Sequence, residues 1–274
     1  QADTGTWILN NAGNWTGTPA NWQGGVIPNA AGDIAIFRND ISTGRTVSLI
    51  APVTVGGLSV GDLLGSSVFT FGGTSTLTFD NLASNAFINK FGSATDVIAS
   101  TVGVGMTSAT DFNIFTGSFD VNGAVTGTGN IIKNGAGTLT FRNTPGFAGN
   151  FVLNFGTLNF SGASGAASTQ LGTGTGGISL LGTGRQDLAI LGLRSNGPAS
   201  DGTVVYGGNN DVIVSGGATI NVDRNFDTAA NDRVNHSLDN LTFNGGILRV
   251  TSGNGHRLTF TGTTMLNGQT NVLE

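Results

Sequence analysis

The chain contains no cysteine and almost no Glu or Lys: one glutamate, Glu274, and two lysines, Lys90 and Lys133, in 274 residues. The first absence excludes disulfides, thiolate-bound zinc and a catalytic thiol. The second removes strong helix formers, and no amphipathic helical stretch of useful length is found. Charged residues make up 10% of the chain, against about 25% in ordinary globular proteins. No apolar run reaches the roughly 18 residues of a membrane-spanning helix, so no membrane insertion of that kind is expected. Basic residues are few and scattered and the net charge is −5. Without a basic stripe to displace counterions, nucleic acid is not an expected partner. Position 1 is Gln rather than Met, as expected if a signal peptide has been removed or the chain is a fragment.

Glycine is abundant, with 46 residues, and Thr, Ser and Asn fill the polar positions. Val, Ile, Leu and Phe alternate with them along the whole length, which excludes a disordered chain. Residues 127–141, GTGNIIKNGAGTLTF, show the pattern. A phosphate loop would need Ser or Thr after the lysine, but Lys133 precedes Asn134. Strand grammar fits better. Positions 129, 131, 133, 135, 137, 139 and 141 are Gly, Ile, Lys, Gly, Gly, Leu and Phe, with mostly Asn, Thr and Ala between them. A period of two puts the first set inside and the second in water.

The last apolar residues of successive strand cores recur at a steady distance. Val121, Phe141, Phe160 and Leu180 are about 20 apart, as are Val222 and Phe243 or Leu58 and Leu77. Such spacing predicts an all-β fold, a parallel β-solenoid with about 20 residues per coil. Asn-Gly pairs at Asn122, Asn134, Asn196, Asn244, Asn254 and Asn267 turn the chain sharply. Taken alone they would suit antiparallel hairpins, the competing architecture. At about 4.8 Å per coil the β-helix would be a rod on the order of 60 Å long. Residues 1–50 are read as an N-terminal cap and lead-in, and 51–274 as the β-helix.

Residues 127–158 resemble the autotransporter-associated β-strand repeat, a G-x-G-x-L-x-K-x-G-x-G-x-L pattern that ends in a strand closed by G-x-L. Gly127, Gly129, Lys133, Gly135, Gly137, Leu139, Gly149, Gly156 and Leu158 carry the likeness. Ile131, Phe141 and Phe147 stand as apolar substitutes, while Asn143 and Pro145 depart from the pattern in the turn. The opening resembles the beginning of such proteins through Trp7, Trp15, Trp22, Pro28, Asn29, Gly32 and Asp33. The resemblance implies a secreted or surface-displayed bacterial protein built on a right-handed parallel β-helix, and implies no catalytic activity. Trp7, Trp15 and Trp22 are expected to cover the first coil and close its apolar end, since large aromatics usually supply buried area. Exposed, they would instead stack on sugars.

Chemistry is thinly represented. His236 has Asp232, Ser237 and Asp239 close in sequence, but a nucleophilic triad is rarely assembled from one loop. His256 is read as a surface residue at a turn. The chain has no Asp-Asp pair of the kind β-helix polysaccharide hydrolases use. Asp223, Asn225 and Asp227 have the D-x-N-x-D spacing of a calcium loop, without the continuation that completes it. No catalytic residue, cofactor or resident metal is therefore expected, with that triplet as the one weak metal candidate.

The sequence thus predicts a structural extracellular or cell-surface protein, a rigid β-helical rod that assembles head-to-tail with itself into a fibre or matrix. Its last residues, LTFTGTTMLNGQTNVLE, read as strand with no cap. A first alternative is an adhesin stalk that binds glycan or extracellular polysaccharide through loops such as 195–202 or 224–235. A second is a polysaccharide lyase or hydrolase of β-helix type.

Overall fold

A computed structural model describes residues 2–144, 146–163, 165–182, 189–208, 210–225 and 233–274. The fold is all-β, a parallel β-helix. Its strands pair in parallel, coil upon coil, and an isolated antiparallel bridge joins Trp7 to Trp22. The Asn-Gly pairs therefore turn corners of a coil and do not close hairpins. Helix is confined, among the described residues, to two single 3-10 turns, Pro19–Asn21 and Gln23–Gly25. The chain divides into two compact units, Gln1–Leu139 and Thr140–Glu274.

In the first unit the first coil carries two short strands and those after it three, and each strand stacks on its counterpart in the next coil. One column runs through Thr4–Thr6, Ile34–Phe37, Gly57–Val60, Ala86–Lys90, Thr110–Ile114 and Ile131–Asn134. A second includes Gly13–Asn14, Arg45–Leu49, Phe69–Gly73, Thr95–Ile98 and Ser118–Val121. A third stacks Val53–Val55, Thr76–Phe79, Gly103–Met106 and Val125–Gly127. Residues 1–50 thus supply the first coil as well as the cap. Strict alternation sends every second residue inward, so identical roles line up. Ala35, Leu58, Ile88, Phe112 and Lys133 stack in register, as do Phe37, Val60, Lys90 and Ile114, and all are buried. Outside, Asn89, Asn113 and Asn134 form a ladder of side-chain bonds of 2.9 and 3.1 Å.

The second unit repeats the plan. Phe151–Leu153, Ile178–Leu180, Val212–Val214 and the start of Leu241–Ser252 make one column. Gly156–Ala163, Ala189–Ser195, Gly217–Asp223 and the end of Leu241–Ser252 make the next. Ala167–Ser168, Thr203–Tyr206, Asn235–Leu238 and Arg257–Phe260 complete the coil.

Coil length varies more than the sequence spacing suggested. Asn113 and Asn134 stack 21 residues apart, whereas Asn221 and Thr251 are 30 apart, and Ile178 pairs with Val212 over a still longer coil. Part of the regular spacing joined strands on different faces: Leu58 pairs with Ile88, while Leu77 belongs to the third column.

Two glycines of the repeat show why corners need that residue. Gly127 and Gly135 have φ of 109° and 77°, and a Cβ at either would strike the carbonyl of Met106 or Ile114 in the preceding coil. The remaining repeat positions serve the interior. Gly129, Gly137, Gly149 and Gly156 are buried, as are the side chains of Lys133, Leu139 and Leu158. Ile131, Phe141 and Phe147 are buried too.

Candidate functional site

The first coil of the first unit is closed by aromatic side chains. At the N-terminal end Trp7, Trp15 and Trp22 are at most 1% exposed and close over Phe37. Trp7 meets Trp22 edge-on at 5.3 Å, and Trp15 lies 5.1 Å from Phe37 and 6.0 Å from Phe71. Two of the indoles have a polar partner: Trp15 Nε1 donates to Pro28 O at 2.9 Å and Trp22 Nε1 to Trp15 O at 2.8 Å. Rings held this way cannot stack on an exposed sugar. They cover the interior, which is where three large aromatic surfaces stabilise most.

In the second unit the last strand exposes apolar side chains. Thr264–Leu273 pairs with Leu241–Ser252 along one edge. Leu180, Val214, Phe243 and Leu266 are in register. The first three are buried and Leu266 is 66% exposed. Leu273 lies opposite the buried Leu248 and is 67% exposed. With Leu241, Phe243 and Phe260 these side chains line an apolar hollow of ≈ 370 Å3.

The second unit also carries a polar cleft of ≈ 380 Å3 on the outer face of four stacked strands. Asn159, Gly192, Asn221 and Thr251 follow one another up that face in register. The missing side chain at Gly192 leaves a notch into which the Asn159 amide folds. Asn159 is 6% exposed, and its Oδ1 has no hydrogen-bond partner among the described residues. Beside it, Arg194 pairs with Asp223 at 3.1 Å, and the exposed Arg249 stands at the rim. Burial lowers the Arg194 guanidinium, with the Asp223 charge opposing.

Comparison with protein-family models, curated proteins and solved structures returned no match. The functional reading therefore rests on these surfaces and on the residues the sequence singled out.

The two histidines stack with Tyr206 in the interior. His236 is fully buried; its Nδ1 meets Tyr206 Oη and its Nε2 meets His256 Nδ1, both at 3.0 Å. Both ring nitrogens are thus engaged, and Asp232 lies outside the described residues. His256 departs from its expected place at the surface. It does follow a turn, but its ring points inward at 2% exposure because it completes this stack. Burial pushes His236 down to about 3, and the His256 and Arg194 charges act the same way.

Of the calcium triplet, Asp227 lies outside the described residues. Asp223 is taken by Arg194, by Asn254 Nδ2 at 2.7 Å and by its neighbour Arg224 N at 2.8 Å. Asn225 Oδ1 accepts from Ser161 Oγ at 3.2 Å and Gly162 N at 2.8 Å. These oxygens tie coils together. No cluster of three His, Cys, Asp or Glu occurs among the described residues.

Sequence reasoning expected buried tryptophans and parallel coils, but neither the cleft nor the hollow. The cleft joins residues about thirty positions apart, which only coil registration brings together. The hollow could have been suspected from the apolar residues of the final strand.

Proposed function

We propose that the protein is a structural β-solenoid that associates with copies of itself through its C-terminal coil. One observation carries this reading: Leu266 and Leu273 are exposed in columns whose other members are buried. Covering such a leucine stabilises by about 1.5–3 kcal/mol, and the open edge of Thr264–Leu273 offers backbone groups for strand addition. The resemblance of residues 127–158 supports a secreted or cell-surface setting outside a bacterial cell. Growth into a fibre requires this edge to meet the N-terminal end of the next copy. Since Trp7, Trp15 and Trp22 are already buried, that joint is packing against the finished cap and not insertion of its rings. Two C-terminal coils facing each other would stop at a dimer.

Light scattering across a concentration series, with electron microscopy of the same samples, tests the reading. Concentration-dependent oligomers that are lost in Leu266→Asp and Leu273→Asp support it. Filaments identify head-to-tail joining, and a limit at two copies identifies facing coils. A monomer at every concentration overturns it. Removing the first 30 or so residues asks whether the cap takes part in the joint.

A second reading, a binding module for extracellular polysaccharide, is favoured by the cleft. Asn159 Oδ1 offers an acceptor to a ligand hydroxyl, and Arg249 offers a cation to an acidic sugar. Titration calorimetry with a uronic-acid polysaccharide, against Asn159→Ala and Arg249→Ala, decides it. Heat that is absent from the wild type, or unchanged in both variants, removes this reading.

A further inference from the structure

Lys90 is an inward residue at the end of Ala86–Lys90, and Asp96 an inward residue of Thr95–Ile98, the next strand of the same coil. Both side chains are fully buried, with Nζ 3.3 Å from Asp96 Oδ2. The rest of the ammonium is fixed. Nζ donates to the carbonyls of Phe91 and Gly92, the residues that turn the corner. On the acid side, Asp96 Oδ1 accepts from Phe69 N at 2.7 Å, while Oδ2 faces the Lys90 ammonium. Lys90 is stacked between Val60 and Ile114, and Asp96 lies opposite Phe119. An amine and a carboxyl are therefore held together in a dry, apolar chamber that neither can leave.

We propose that the folded chain joins Lys90 to Asp96 through an intramolecular isopeptide bond. The starting ion pair neutralises itself when Nζ passes one proton to Oδ2. Its departure leaves a lone pair on Nζ, the nucleophile for Cγ. Attack forms the Nζ–Cγ bond. The Cγ–Oδ2 bond then breaks, and Oδ2 departs as water with its own proton and a second one from Nζ. One amine and one carboxylic acid become one amide and one water, with no oxidant or cofactor. Nζ keeps a single hydrogen, which remains bonded to one of the two corner carbonyls, and Oδ1 becomes the amide oxygen still facing Phe69 N.

The surroundings favour the neutral pair this step needs. Burial pushes the Asp96 carboxyl up, and the charge of Asp62 adds to that, against Lys90 and the Phe69 amide. Burial likewise pushes the Lys90 ammonium down, and the charge of Arg38 adds to it, against Asp96. Condensation removes both buried charges, which a low-dielectric interior penalises. It also closes the corner from 90 to 96 into a ring.

The test uses the unmodified chain. Intact-mass measurement after folding and denaturation is expected to find the protein lighter than its sequence by one water. Tryptic mapping is expected to show no cleavage after Lys90 and to place the missing water within residues 90–96. Lys90→Arg and Asp96→Ala are each expected to restore the full mass. A wild-type chain of full mass overturns the proposal whether or not the variants fold, and so does a water loss that maps elsewhere, such as to an Asp-Gly imide.

Discussion

Lys90 and Lys133 are the only lysines in the chain, and both lie at or next to the end of a strand with the side chain pointing into the β-helix. Each donates to the carbonyls of the next two residues: Lys90 to Phe91 and Gly92, Lys133 to Asn134 and Gly135. The glycines that follow have nearly the same φ, 76° and 77°. The two corners are one device, a buried ammonium satisfying carbonyls that a bend removes from the ladder. They differ six residues on, where Asp96 follows Lys90 and Leu139 follows Lys133. Thus the carboxylate at this position is a feature of the Lys90 corner. Asp96 is an addition, which is why it calls for a separate chemical reason.

Breaking the richer corner should have the largest effect. Asp96→Ala strands a buried ammonium in an apolar column and leaves Phe69 N without its acceptor. Removing one partner of a buried pair costs about 3–5 kcal/mol, and any covalent link is lost with it. Urea unfolding at neutral pH is expected to show a midpoint lowered accordingly. A loss below about 1 kcal/mol, the range of exposed ion pairs, would mean that the carboxylate contributes nothing special.

The plainer corner is sharpened by pH. Burial lowers the Lys133 ammonium to about 7, while the unfolded chain holds its proton up to the ordinary lysine range. Between those values the unfolded state binds more protons, so stability rises with pH from about 7 towards 9.5 and is flat below 7. At 1.36 kcal/mol per pH unit the rise is at most roughly 3 kcal/mol. Lys133→Met is expected to flatten this profile. Leu139→Asp, which gives Lys133 the carboxylate that Lys90 has, is expected to move the rise to higher pH. An unchanged profile in both variants would show that Lys133 does not titrate here.

Much of this corner was legible in advance. Alternation along residues 129–141 put Lys133 on the inward side with Ile131 and Leu139, since a period of two leaves no other choice. The partner of Lys90 was not, because an aspartate beside Thr95 in a glycine-rich stretch reads as turn chemistry. The parallel architecture followed from repeated short strands, yet coil length did not. Loops of any length can leave a face, and strand pairing resumes wherever apolar columns realign. Trp7, Trp15 and Trp22 announced a cap by their size alone. Asn159, Arg194 and Arg249 announced nothing, because each is an ordinary outer-face residue until four coils stack.

His236 extends the case to a buried base in a ring stack. Its nitrogens face Tyr206 and His256, and burial holds it near 3 against an ordinary value of 6.5. The charged groups acting on it are Arg194, Asp223 and His256. Below 6.5 the unfolded chain takes up a proton that the folded ring refuses, so stability falls as pH drops from 6.5 towards 4. The loss is at most roughly 3 kcal/mol. Thermal melts of wild type and His236→Phe should diverge over that window, the variant losing less with acid.

The smallest effect belongs to a ladder with no charge at all. Asn113 joins Asn89 below and Asn134 above through side-chain amides on the outer face. Each such bond replaces one to water and is worth about 0.5–1.5 kcal/mol net, with the half-exposed setting at the lower end. Asn113→Ala removes two bonds but buries no unmet group, because water reaches Asn89 and Asn134. A loss near 1 kcal/mol in urea unfolding is expected, insensitive to pH from 5 to 9. Were Asn113→Ala to cost as much as Asp96→Ala, coil stacking would depend on the outer amides rather than on what lies inside, and the two lysine corners would lose their special place.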